Sequence, residues 1–167
     1  MHGQRYDGRQ GVVGWLASEK FDGCRVRWDG ELLWTRHGRK VDTPAWFTAP
    51  LPAGIPLDAE VWAGRAGFFA ARDAVAYGKF TPEVKLVVFD APTASGNWAE
   101  RMVFARSLVD AAHVGFANCV EVKSQAHLGE LFDSVFGIGG EGLMLRDPRS
   151  GYVCGRTNRL LKVKQWN

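Results

Sequence analysis

The segment Ser18-Glu-Lys-Phe-Asp-Gly-Cys-Arg25 sets a lysine at the end of an apolar stretch, a carboxylate two residues later, and a glycine turn that exposes both. A lysine side chain is a nucleophile only as the neutral amine, a form that burial or neighbouring cations favour. Cations are available in Arg25 and in Leu160-Leu-Lys-Val-Lys164, where strand alternation puts Lys162 and Lys164 on one face. If that face adjoins Lys20, the same charges would hold a phosphate. Glu60 in Leu57-Asp-Ala-Glu-Val-Trp62 and Glu141 in Glu141-Gly-Leu-Met-Leu-Arg146 are further carboxylates in the chain. Phe89, ending the apolar run Leu86-Val-Val-Phe89, can serve as a slab for a planar ring.

Each piece also has an ordinary reading. A Lys-x-Asp-Gly string is a hairpin turn with a surface lysine, and it arises by chance at ~1 in 8,000 positions. Phe89 suits a plain core, Glu60 a solvated strand edge and Glu141 a loop carboxylate, while Lys162 and Lys164 suit a solvated strand face. Their order is what gives them weight. After the lysine segment come Thr35-Arg-His-Gly38, Leu57-Asp-Ala-Glu-Val-Trp62, Val88-Phe-Asp90, Glu141-Gly-Leu-Met-Leu-Arg146 and the lysine pair.

From Trp15 to Lys164 this order resembles the nucleotidyltransferase motifs of ATP-dependent DNA ligases, particularly the short bacterial and phage enzymes. The resemblance implies an α+β, ATP-grasp-like adenylation domain of mostly antiparallel sheets flanked by helices. It implies that Lys20 attacks the α-phosphate of ATP to give lysyl-AMP and pyrophosphate. AMP would then pass to the 5′-phosphate of a nick in duplex DNA, and the 3′-OH would displace it. Asp22 would assist that last step. Glu19, Lys20, Arg25, Glu60, Phe89, Lys162 and Lys164 would line the nucleotide site, with Phe89 stacked on adenine and the two lysines on the α-phosphate. Glu141 and Glu60 would hold Mg2+ or Mn2+, and Arg36, Arg146 and Arg156 would contact DNA. Nucleotidyl transfer is mostly positioning and charge neutralisation, so cations and a divalent ion suit it.

Ala59 stands where these enzymes usually carry glycine. The sequence stops at Asn167, whereas related ligases continue into an oligonucleotide-binding barrel, so the expectation is one adenylation domain over 1–167 without that barrel, with weak, salt-dependent DNA binding. NAD is disfavoured as AMP donor because only 19 residues precede Lys20. An RNA ligase of the same superfamily and a nick-binding module without turnover are the alternatives; the LDAEVW and EGLMLR texts favour DNA.

These residues need elements to hold them. Val13–Lys20 and Cys24–Thr35 read as short strands joined by Asp22-Gly23 and Asp29-Gly30 turns. Residues 44–56 hold four of the seven prolines and read as a stiff, irregular connection that tucks in Trp46 and Phe47. Strands are expected at Leu57–Trp62, Val84–Phe89, Gly142–Arg146 and Arg159–Lys164, and a short helix at Phe68–Tyr77. Asn97 and Glu100 form a capping-box pattern before Trp98, Met102, Ala105, Val109 and Ala112 at helical spacing, and a further helix carries Leu128 to Phe136.

The chain has 167 residues, about one domain's worth, with 46% hydrophobic and 23% charged residues, a globular composition. A net charge of +3 permits a nucleic-acid partner without requiring one, and Arg27, Arg39, Arg65, Arg149 and Arg159 add to a possible backbone track. Cys24, Cys119 and Cys154 form no Cys-x-x-Cys pair and suit reduced thiols in a cytoplasmic setting, in a bacterium or a phage-infected host. No apolar run approaches the ~18 residues of a membrane span, so no membrane partner is expected. His37 is close enough to the arginines to touch a phosphate; His2, His113 and His127 read as surface residues. The seven tryptophans read as core or rim residues, and the molecule as a monomer.

Overall fold

The computed structural model describes residues 1–164. In chain order the elements are β1 (His2–Arg5), β2 (Leu16–Glu19), β3 (Cys24–Trp28), β4 (Leu33–Thr35), α1 (Ala45–Thr48), β5 (Leu57–Trp62), α2 (Phe68–Tyr77), β6 (Lys85–Asp90), α3 (Trp98–Leu108), β7 (Val114–Phe116), β8 (Val120–Glu121), α4 (Gln125–Gly137), β9 (Gly142–Arg146) and β10 (Arg156–Lys164). They fall into two compact units. One comprises Met1–Phe21 and the chain from Asn118 onward, the other Asp22–Ala117.

The first unit is a five-stranded sheet in the order β1-β10-β9-β2-β8, antiparallel except for the parallel β1–β10 pair. Its core face carries Ala17, Leu143, Leu145, Leu161 and Val163, packed with Leu128, Leu131, Phe132 and Val135 of α4. Because side chains alternate, the row Ser18, Met144 and Lys162, which is in register across β2, β9 and β10, lies on the opposite face. Ser124 caps α4 by accepting from the His127 N–H at 3.0 Å.

The second unit is a five-stranded sheet in the order β4-β3-β5-β6-β7, antiparallel except for β6–β7. Val26, Trp28, Leu57, Ala59, Val61, Leu86 and Val88 form its core face, covered by Phe47 and by Ala71, Ala74 and Val75 of α2. Arg25, Glu60 and Val87 are in register on the other face. The α3 capping box forms as its spacing predicts, with Glu100 N–H donating to Asn97 at 3.1 Å and Asn97 N–H donating to Glu100 at 2.7 Å.

Strands β5 and β9 and helix α2 occupy their predicted ranges to the residue. Elsewhere tertiary context moves the boundaries. Gly14, at φ 83°, turns the chain so that β2 starts at Leu16 rather than Val13. Helix α3 ends at Leu108, leaving Val109 and Ala112 beyond it, and β10 starts three residues early, at Arg156, where it pairs with β1. Pro44 occupies the N-cap of α1, a helical turn inside the stretch expected to be irregular. That turn buries Phe47 completely but leaves Trp46 44% exposed, correcting the expectation that both tuck in. The proline connection's partner is His113, expected at the surface: its ring donates to the Phe47 carbonyl at 3.0 Å and packs on both aromatic rings. Strands β1, β7 and β8 have two to four residues each, too few to show alternation. Trp166 lies outside the described residues. All three cysteines are free thiols, and among the described residues no helix is long and apolar enough to cross a membrane.

Candidate active site

Lys20 follows β2 directly, and its N–H donates to the Gly142 carbonyl at 2.8 Å, which ties the lysine to the start of β9. Its ammonium pairs with Glu141 Oε2, and Lys164, at the end of β10, pairs with Glu141 Oε1. One carboxylate therefore gathers two lysines that are 144 positions apart in sequence. Side-chain exposures of 20% for Lys20 and 25% for Glu141 place the pair in a half-sheltered setting, with Lys164 more open. Burial pushes the Glu141 carboxyl upward, but hydrogen bonds from Lys164 and Lys20 outweigh it and hold the group below the usual carboxylate range. Gly142 makes this convergence possible. With φ at 148°, it lies so close to the Val163 carbonyl that a Cβ would collide with backbone.

Lys162 belongs to the same non-core face through its register with Met144 and Ser18. Glu19 does not: it pairs with Leu143, which belongs to the α4-facing core, and its carboxylate comes within 3.3 Å of where a Gly140 Cβ would stand. Arg146, expected at a DNA surface, is only 7% exposed and donates to the Met1 sulfur at 3.2 Å, so packing against the N-terminus withdraws it. Arg156 is exposed at the start of β10.

In the second unit, Gly23 runs so near β5 that a Cβ would strike the Val61 carbonyl and sit 3.0 Å from Glu60 Cγ. The glycine of Lys-x-Asp-Gly is thus fixed by a close approach, which brings exposed Asp22 alongside Glu60's strand. Arg25 forms a two-pronged pair with Asp58, at 3.0 Å from Nε and 2.5 Å from Nη2. Its guanidinium also stands 5.5 Å from the Phe89 ring centroid. Phe89 is therefore half-buried on the non-core face and not in the core. The Cys24 thiol next to this region is pushed up, first by burial and then by the Glu60 and Asp22 carboxylates, with Arg72 opposing. Arg36 and His37 are exposed in the turn after β4.

Sequence reasoning assigned no role to three residues that organise this face. Asp58 shares a strand face with Glu60, a signal present in its i, i+2 spacing. Asp90 and Arg101 form a fully buried ion pair, Nε to Oδ1 at 2.7 Å and Nη2 to Oδ2 at 3.2 Å. Arg101 also donates to the Gly96 carbonyl at 3.0 Å, and the Trp98 indole donates to the Phe89 carbonyl at 2.8 Å. Helix α3 thereby grips the end of β6 where Phe89 sits.

The boundary between the units falls between Phe21 and Asp22. Lys20, Glu141, Lys162 and Lys164 belong to one unit, and Asp22, Arg25, Arg36, Glu60 and Phe89 to the other. The first set combines a sheltered amine with cations. The second offers an aromatic ring backed by a guanidinium and flanked by carboxylates. Among the described residues no three His, Cys, Asp or Glu side chains gather as a ready-made metal cage.

No family model matches the chain. A DNA ligase of Haemophilus influenzae is 31% identical over 160 residues, covering 93% of this chain, which spans 59% of that relative's length. Among solved structures, one from a structure-function study of Lig E DNA ligases is 32% identical with a TM-score of 0.87, and covers 98% of this chain and 67% of its own. The Chlorella virus DNA ligase-adenylate is similar in fold, with a TM-score of 0.79 at 22% identity over 98% of this chain and 66% of that one.

Proposed function

As the chain belongs to the ATP-dependent DNA ligase family, we propose that it is a ligase catalytic core that charges Lys20 with AMP and seals nicks in duplex DNA. The observation that carries this reading is the convergence of Lys20 and Lys164 on Glu141, on the sheet face opposite the core. In the first step the Lys20 amine attacks the α-phosphorus of ATP, a P–N bond forms, and pyrophosphate leaves with the electron pair of the broken P–O bond. The partly exposed Lys20 ammonium must first release a proton to water, and a second proton leaves the nitrogen for water as the P–N bond forms. Glu141, held below the usual carboxylate range, is a poor store for that proton and instead aims the nitrogen. Lys164 and Lys162 place positive charge where the transferred phosphate gains negative charge. Phe89 offers its ring to adenine, with Arg25 behind it. In the last step Asp22 aids attack by the 3′-OH, and Arg36 and Arg156 hold DNA phosphate.

A magnesium or manganese ion fits this donor set. It needs only one or two carboxylates when phosphate oxygens and waters complete its shell, and Glu60 on one unit and Glu141 on the other are each a carboxylate that would serve. When bound, the ion neutralises phosphate charge.

The test is intact-mass spectrometry after incubation with ATP and magnesium, beside Lys20→Ala. A gain of ~329 Da, acid-labile and confined to the unaltered protein, supports a phosphoramidate on Lys20. Absence of any adduct, from protein free of pre-bound AMP, overturns self-adenylation and leaves a nick-binding module. Sealing of an RNA-RNA nick in preference to a DNA nick would favour the RNA-ligase alternative.

A further inference from the structure

The loop that joins β9 to β10 has no role in the adenylation chemistry, yet it is built around a buried charge. Asp147 is 1% exposed. Its Oδ1 accepts from the Arg149 backbone N–H at 3.0 Å and from Arg149 Nε at 3.3 Å, and its Oδ2 accepts from Arg159 Nη1 at 2.6 Å. Its backbone is secured as well: Asp147 N–H donates to the Arg159 carbonyl at 3.0 Å, and the Ser150 hydroxyl donates to the Asp147 carbonyl at 2.8 Å. Burial pushes the Asp147 carboxyl up, but the hydrogen bonds from Arg149 and Arg159 outweigh it and keep it ionised and below its usual range. The two arginine side chains are themselves 83% and 56% exposed.

This arrangement does not maximise stability, because ion pairs with such exposed arginines contribute little. It does fix direction. Each guanidinium has five N–H donors in a rigid fork. Asp147 takes Nε of Arg149 and Nη1 of Arg159, and both arginines, with Ser150, Gly151 and Val153, line a cavity of about 480 Å3. Two guanidiniums against one carboxylate leave a surplus positive charge at its mouth. Residues 146–159 contain four arginines and one aspartate, a surplus of three, equal to the net charge of the whole chain. An open, positively charged hollow with planar donor forks matches the paired oxygens of a phosphodiester.

We propose that Arg149 and Arg159, aligned by the buried Asp147, form a clamp for a phosphodiester of the nucleic-acid backbone, with Asp147 as the positioning residue. The clamp rests on the ligase reading for its substrate, and its test is separate from the lysine-adduct test of that reading. Backbone phosphates are favoured over a free phosphate ion because both arginines of the hollow are largely open to solvent.

The experiment measures binding of a fluorescent nicked duplex by anisotropy at 50–200 mM salt, using the whole chain and Asp147→Asn, Arg149→Ala and Arg159→Ala variants, each first checked for an unfolding transition. If charge alone mattered, Asp147→Asn would bind more tightly, since it adds one positive charge. The clamp requires the opposite, a loss of roughly fivefold or more and a shallower salt dependence. Arg149→Ala and Arg159→Ala should each flatten the log K against log salt slope by about one phosphate's worth. Equal or tighter binding by Asp147→Asn overturns the positioning role, and unchanged slopes in both arginine variants overturn the clamp. Should Asp147→Asn fail to fold, the exposed Arg149→Ala variant decides. Inorganic phosphate added at constant ionic strength should leave duplex binding unchanged; displacement of the duplex would assign the hollow to free phosphate instead.

Discussion

Replacing Arg101 by Met should be severely damaging to the Asp22–Ala117 unit, although Arg101 touches no proposed substrate. Both it and Asp90 are 1% exposed at the side chain, and the two hydrogen bonds between them, 2.7 and 3.2 Å long, neutralise the only charges there that the structure pairs so deeply among the described residues. The variant keeps the Ala91 N–H on Asp90, at 2.9 Å, but removes the counter-charge. Stranding one member of a buried pair costs about 3–5 kcal/mol. With a urea m-value of about 2 kcal/mol/M for a chain of this size, that loss lowers the unfolding midpoint by about 1.5–2.5 M. Adding Asp90→Asn to the variant removes the stranded charge and should recover part of the loss, a coupling that a double-mutant cycle reads directly. A urea titration followed by tryptophan fluorescence measures all four proteins. A cost below about 1 kcal/mol for Arg101→Met, or costs that simply add in the double variant, would refute the claim that this pair fixes the end of β6.

Acid stability offers a second test. Because the folded Glu141 carboxyl lies below its usual range, its contribution is present above the unfolded value of about 4.3 and is lost as pH falls through the folded value. Thermal unfolding between pH 3 and 6 should therefore fall more steeply for the unaltered chain than for Glu141→Gln, by no more than about 1 kcal/mol because Lys164 is half exposed; parallel curves would count against the ion-pair cluster. Gly23→Ala forces a methyl against the Val61 carbonyl, a backbone atom that cannot rotate away, and should cost about 1–3 kcal/mol in a denaturant titration.

The legibility of this molecule follows the range of its interactions. Strands β5 and β9 and helix α2 could be read to the residue because their signals are local: alternation, a capping or terminating glycine, and apolar spacing. The capping box of α3 was legible for the same reason. Strand β1 was not, because His-Gly-Gln-Arg has no alternation and exists as a strand only through pairing with β10 at the far end of the sequence. In the candidate site, alternation correctly placed Lys162 and Lys164 on one face. It could not place Arg146, whose strand position says nothing of Met1 folding over it. Nor could it pair Asp90 with Arg101 or Asp58 with Arg25, since a carboxylate in an apolar strand looks the same whether it faces solvent or a guanidinium. The division into two units escaped composition for a similar reason: the chain crosses at Phe21–Asp22, inside the lysine motif, where no linker marks the passage.

The pairing of β1 with β10 and of β2 with β9 also sets a timetable. The chain of Asp22–Ala117 has all its own strands as soon as it has been translated, whereas the sheet that bears Lys20 waits for β9 and β10. Lys20 is polymerised about 140 residues before Lys164, an interval of roughly 7–30 s at ordinary elongation rates. Glu141 appears late in that interval and Lys164 only at its end. The cluster of Lys20 and Lys164 on Glu141 can therefore assemble only after β10 has been made.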